Sequence, residues 1–176
     1  IYQEMFGRAP EAEGLGYWRA AVDAGHCSLT DVALAVMQGA QGTDLTLSNA
    51  RSVASEAFTA AAALAGTDYS GAAAVGVGRL LIQAVKMDSS SIDIQKMVQA
   101  AVSLADVAST TPAVVDALDG NGSLSAMLAT TQGAAHPVEL LQTLARTAEI
   151  AAGDPATLAQ LLRGGGMPQV LAVMPA

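Results

Sequence analysis

Apolar positions recur at helical spacing along most of this chain. Tyr69, Ala73, Val77, Leu80, Leu81 and Ala84 share one face of one segment, and Ile94, Met97, Val98, Ala101, Val102 and Ala105 share one face of the next. Steps of three and four predict amphipathic helices, each needing a partner for its apolar stripe. No segment shows sustained strand alternation, β-branched runs are almost absent and alanine occurs 38 times, so the local preference is helical nearly everywhere. The stripes are narrow and rich in Ala and Gly, which lets helices approach more closely than a Leu-rich seam would. The pattern predicts an all-α multi-helix bundle.

Glycines and helix-start signals cut the chain into about ten short helices, near the usual three turns. Thr111-Pro112, His136-Pro137 and Asp154-Pro155 each set a polar residue before a proline, whose missing N–H costs nothing at the first helical position. Ser28 with Asp31, and Ser90 with Asp93, have capping-box spacing with Asp in place of Glu. Five of the six aromatics (Tyr2, Phe6, Tyr17, Trp18, Phe58) fall before Gly66, and only Tyr69 follows. Two packed subdomains are therefore expected: residues 1–66 with an aromatic core, and 67–176 built on Ala, Leu, Val and Met.

Charge and composition then exclude whole classes of function. Sixteen acidic residues against eight basic ones give a net charge of −8, with Lys86 and Lys96 the only lysines. A nucleic-acid binder needs clustered cations and is not expected. Although 52% of residues are apolar, no run of about 18 strongly apolar residues could span a bilayer, so the chain is not expected to be membrane-embedded. The single cysteine, Cys27, excludes an internal disulfide framework and a thiolate zinc site made by one chain. The chain starts at Ile1, and neither end shows a charged segment, an apolar stretch and a cleavage site in succession. Either a leader has been removed or these residues belong to a longer polypeptide.

The most specific stretch runs from Ile1 to Trp18 and reads as helix, tight turn, helix. Gly7 suits the left-handed end of the first helix and Pro10 the first turn of the second. Gly14, inside that second helix, costs about 1 kcal/mol relative to Ala, which suggests close backbone contact there. Tyr17 and Trp18 cover the turn, with Trp18 largely buried, and Arg8 reaches back to the carbonyls of the first helix or to Glu4. The stretch resembles the bacterial family called domain of unknown function 4214, whose hallmark is approximately L-Y-x-x-x-L-G-R-x-P-D-x-x-G-x-x-Y-W. Tyr2, Gly7, Arg8, Pro10, Gly14, Tyr17 and Trp18 match it, Phe6 stands for Leu, and Glu11 for Asp. Ala24-Gly25-His26-Cys27-Ser28-Leu29 is similar to the family's loop into its third helix, and the likeness covers residues 1 to about 40. The family's Ser-x-Glu-Phe ending is replaced by Gln38-Gly39-Ala40-Gln41, and the basic character of the look-alike phycobilisome linker domain is missing.

That resemblance implies location more than chemistry. Such domains are similar to modules of secreted repeat-in-toxin proteins, adhesins and surface-layer proteins of Gram-negative bacteria, exported without a cleaved leader. It implies an extracellular or cell-surface structural protein that self-assembles, as a homo-oligomer or polymer, into a surface layer or filament. The rival reading is an adhesion module that anchors a larger protein to lipopolysaccharide or another surface glycan.

Other candidate chemistry is sparse. Asp119, Asn121 and Ser123 occupy alternate positions like the start of a calcium loop, but Thr130 stands where the bidentate carboxylate belongs. The bland reading is a glycine-rich turn with Ser123 as a helix cap. Calcium stays in view because no Lys or Arg lies between Lys96 and Arg146, whereas Asp106, Asp116, Asp119 and Glu139 do. A cation shared with a neighbouring chain could collect there. Gly71 and Gly76 have phosphate-loop spacing, but Val77 and Gly78 hold the Lys and Ser/Thr positions, so these glycines are read as helix contacts. His26 and Cys27 are adjacent, which rarely places a base across from a nucleophile, and His136 is accounted for by Pro137. No positioned acid, base and nucleophile can be assembled, and no enzyme is expected. Gly164-Gly165-Gly166 makes a flexible joint before an uncharged tail, Met167 to Ala176, expected to dock on another subunit.

Overall fold

The computed structural model describes residues 1–67, 69–111 and 135–154. Among these residues the protein is all-α, without a strand. Its helices are α1 (Tyr2–Phe6), α2 (Ala12–Asp23), α3 (Leu29–Gln38), α4 (Gly42–Ala65), α5 (Gly71–Ala84), α6 (Ser91–Thr110) and α7 (Pro137–Gly153). About ten short helices were the expectation; the described part has one five-residue turn and six longer helices, of which α4 runs for 24 residues and α6 for 20. Continuity in α4 has a local cause. Between Gly42 and Gly66 there is no Gly or Pro, and the Thr46 and Thr59 hydroxyls donate back to the Gly42 and Ser55 carbonyls instead of breaking the ladder.

Helix starts follow local chemistry. In α3 the Ser28 hydroxyl accepts from the Asp31 N–H at 3.2 Å while the Asp31 carboxylate accepts from the Ser28 N–H at 2.8 Å. The same reciprocal box opens α6, with Ser90 and Asp93 at 3.1 and 3.2 Å. Pro137 opens α7 directly after His136. Pro112 and Pro155, and with them the other two expected starts, lie outside the described residues.

The chain divides into two compact units, Ile1–Arg51 and Ser52–Ala176, and Gly66, where the aromatic content changes, is the left-handed residue that follows α4. In the first unit the core is Phe6, Val32 and Val36, with Tyr2, Met5, Trp18, Val22, Cys27 and Ala40 partly buried against it. In the second, α6 packs against both α5 and α7. Most of the expected stripe residues are buried, Val77, Leu80, Leu81 and Ala84 from α5 and Ile94, Met97, Val98, Ala101 and Ala105 from α6, whereas Ala73 and Val102 are half-buried and Tyr69, which precedes α5, is 42% exposed. Leu140, Leu141, Leu144 and Ala148 of α7 are buried likewise.

Glycine contacts differ from expectation. Nothing stands within 4 Å of a Cβ built on Gly14, Gly71 or Gly76, so none of the three marks close helix packing. Gly78 does. A Cβ there would collide with the Tyr69 hydroxyl, and Tyr69 is held edge-on to Phe58 with ring centroids 5.2 Å apart. Gly78→Ala should gain about 1 kcal/mol of helix propensity and lose a ring pair worth about 0.5–1.5 kcal/mol, leaving stability nearly unchanged. In a Tyr69→Phe background the clash is gone and the propensity gain should appear. Urea unfolding of the four proteins tests this, and strictly additive effects would refute the contact.

Candidate functional site

The family-like stretch is built around the end of α1. Gly7 has φ 68°, the left-handed conformation that lets its N–H bond the Gln3 carbonyl at 3.0 Å and close the turn. Arg8 then leaves α1 instead of folding back on it. Its Nε and Nη2 donate to the two carboxylate oxygens of Asp44, at 2.9 and 2.5 Å, and its Nη1 donates to Glu11 at 2.8 Å and to the Ala9 carbonyl at 3.0 Å. The guanidinium also lies 5.3 Å from the Tyr2 ring centre. A second arginine, Arg51, donates to the Met5 carbonyl. The expected role of Arg8 on the α1 carbonyls is therefore corrected: Arg51 serves α1, and Arg8 ties the turn to the first turn of α4.

Hydrogen bonds from Arg8 hold the Asp44 carboxyl below the usual carboxylate range, against the opposing effect of desolvation, and the same pairing raises Arg8. A carboxylate depressed in the folded state contributes stability above its unfolded value, about 3.9, and loses it as pH falls through the lower folded value. The first unit should thus weaken in acid. Asp31, depressed by its bonds from Ser28, adds to the same limb. Asp44→Asn is expected to lower stability at neutral pH and to flatten part of the acid dependence followed by Trp18 emission. An acid profile identical to the parent's would mean that the ion pair does not hold the turn.

One further position departs from expectation. Pro10 precedes the helix: Glu11 is the N-cap of α2, so Pro10 sets an extended approach to it instead of its first turn. Trp18 is partly buried against the Phe6, Val32 and Val36 core, and α2 contributes no fully buried residue. Its inner side carries Gly14, Trp18, Ala21 and Val22, all partly buried, and Trp18 and Val22 pack against the small Phe6, Val32, Val36 core. Leu15 is 55% exposed and Tyr17 66%.

Trp18 stands as a ridge between two clefts of about 480 Å³ each. One has an alanine floor, Ala20, Ala21 and Ala24, flanked by Tyr17, His26 and Cys27. Tyr17 meets Trp18 edge-on there, with centroids 4.9 Å apart. The other is apolar, with Ile1, Tyr2, Leu15, Val22, Leu29 and Val32 along it and the loose Arg19–Asp23 pair, 3.8 Å, at its margin. A third, smaller groove of about 220 Å³ lies along α6 and α7 and is polar, bringing Lys96, Gln99, Ser103, Gln142, Arg146 and Glu149 together. His26 and Cys27 thus share a wall with two aromatics, a placement their sequence neighbourhood did not suggest.

Asp119, Asn121 and Ser123, with Asp116, lie outside the described residues. Asp106 and Glu139 are exposed, on α6 and in the first turn of α7. Among the described residues no group of three or more His, Cys, Asp or Glu could hold a metal ion, and no helix is long and apolar enough to cross a membrane. No family model matches the chain, and no curated protein or solved structure matches it either.

Proposed function

We propose that this chain is a non-enzymatic, extracellular protein of a bacterial surface, which associates with copies of itself into a layer or filament. The observation that carries this reading is the state of α2 and its neighbours. α2 has no buried residue and exposes Leu15 and Tyr17, and α3 exposes Leu29, Leu34 and Met37, all within Ile1–Arg51. So many large apolar side chains on one small unit favour a surface that is covered in the working state. The bacterial-surface location rests on the resemblance of residues 1–40 to domain of unknown function 4214. Calcium, bridging Asp119, Asn121 and Ser123 to carboxylates of a neighbour, would relieve the repulsion between subunits of charge −8. Negative-stain electron microscopy and sedimentation over a concentration series, with calcium and with EDTA, test the reading. A monomer under every condition would end it.

A second reading, an adhesion module for lipopolysaccharide or another surface glycan, is favoured by the Tyr17–Trp18 pair beside an open cleft. Aromatic faces stack on sugar rings and their polar edges hydrogen-bond hydroxyls. Surface polysaccharide should then quench Trp18 emission, and Tyr17→Ala should abolish the quenching.

A further inference from the structure

We infer that the apolar cleft beside α2 is covered by the same cleft of a second copy. The contact is twofold: the two α2 helices run antiparallel, with Arg19 of each set against Asp23 of the other. This rests on the self-association reading and names the contact that makes it. The tail Met167–Ala176, expected to dock on another subunit, lies outside the described residues.

The cleft is lined entirely from within Ile1–Arg51, and its most exposed apolar side chains are Leu15 and Leu29, at 55% and 68%. Leu15, Trp18 and Val22 follow one another on α2 at steps of three and four, so they form one stripe along the cleft. Its only charged side chains are Arg19 and Asp23. They are four residues apart, about 6 Å along the helix axis, and so share one flank of the stripe. Glu13, the third charge of α2, is on the opposite side of the helix from Leu15. Arg19 is also the most loosely held arginine of this unit. Arg8 is bound to Asp44 and Glu11, and Arg51 to the Met5 carbonyl, whereas Arg19 and Asp23 stand 3.8 Å apart with both side chains mostly in solvent.

These charges select the occupant. Copies of net charge −8 repel one another over most approaches, but this face carries one charge of each sign and presents no net charge. A twofold axis perpendicular to α2 at the level of Ala21 exchanges positions 19 and 23. One cation and one anion on each copy then become two intermolecular pairs, with no charge left over. The same operation covers the Leu15 stripe of each copy with that of the other, which removes from water the apolar surface that the unit's own core leaves exposed. An isologous contact closes at a dimer, so a layer or filament is built from such dimers through a second surface.

Charge exchange in the full chain tests this. The parent should dimerise with rising concentration in sedimentation velocity. Over the same range the emission of Trp18, the only tryptophan and a wall of the cleft, should move to the blue. Arg19→Asp puts two negative charges on the face, and Asp23→Arg puts two positive ones. Each substitution alone makes both symmetry-related pairs repulsive and should weaken dimerisation about tenfold, the scale expected when two exposed pairs change sign. Mixing the two variants should restore a one-to-one dimer, because the positive face of one meets the negative face of the other. Leu15→Asp, also at an exposed position, should stay monomeric, and circular dichroism checks that all three variants keep their helix content. If any variant associates as the parent does, or if the parent associates with Trp18 emission unchanged, the contact lies elsewhere; this inference then falls and self-association stands. Two weakened charge variants that do not rescue each other overturn the twofold arrangement. A parent that is monomeric at every concentration removes both the contact and the self-association reading.

Discussion

Phe6→Ala is expected to cost the Ile1–Arg51 unit about 3–5 kcal/mol, the usual range for deleting a buried ring. Phe6 is the only aromatic side chain among the three buried residues of that core, and it also holds Tyr2 edge-on at 5.7 Å. A unit of this size has little stability to lose, because a small domain buries a small fraction of its apolar surface. The loss should therefore disorder the packing around Trp18 at neutral pH and ambient temperature. Trp18 emission should move to the red and the near-ultraviolet circular dichroism of the tyrosines should fall. An unshifted emission maximum, with unfolding still cooperative, would show that Val32 and Val36 hold the unit without the ring.

Leu104→Ala should destabilise the second unit by about 2–5 kcal/mol. Leu104 is fully buried on α6, the helix that packs against both α5 and α7, so the cavity would open in the middle of three helices. Leu144→Ala, on α7, should fall in the same range. Ile150→Ala is the internal control: Ile150 is on the same helix but 61% exposed, and its loss should stay within about 0.5 kcal/mol. Urea unfolding monitored by helix signal measures all three. Equal effects at Leu144 and Ile150 would contradict the assignment of the α7 buried face.

Features that depend on near neighbours were legible in the sequence. The all-α class, the capping boxes at Ser28 and Ser90, Pro137 at the start of α7 and the left-handed Gly7 all arise from interactions spanning four residues or fewer, or from one residue's backbone freedom. The buried faces of α5 and α6 were equally legible, because helical periodicity converts spacing into direction. Glycines and helix-start signals predict about ten short helices; among the described residues the helices are fewer and longer, since nothing between Gly42 and Gly66 breaks α4.

The partners that the motif residues take come from long-range folding. Arg8 finds Asp44, 36 residues away, and Arg51 finds the Met5 carbonyl, 46 residues away. No local spacing encodes such pairs; they exist because the chain turns at Gly39 to Gly42 and brings the start of α4 back to the α1 turn. Trp18 shows the same limit from the side of burial. Its position on α2 suits a core, but burial is set by how much neighbouring mass covers a side chain: Trp18 packs partly buried against Phe6, Val32 and Val36, and no residue of α2 is fully buried. The clefts on either side of Trp18 follow from that shortfall, since a cleft is a relation between surfaces that no single segment carries.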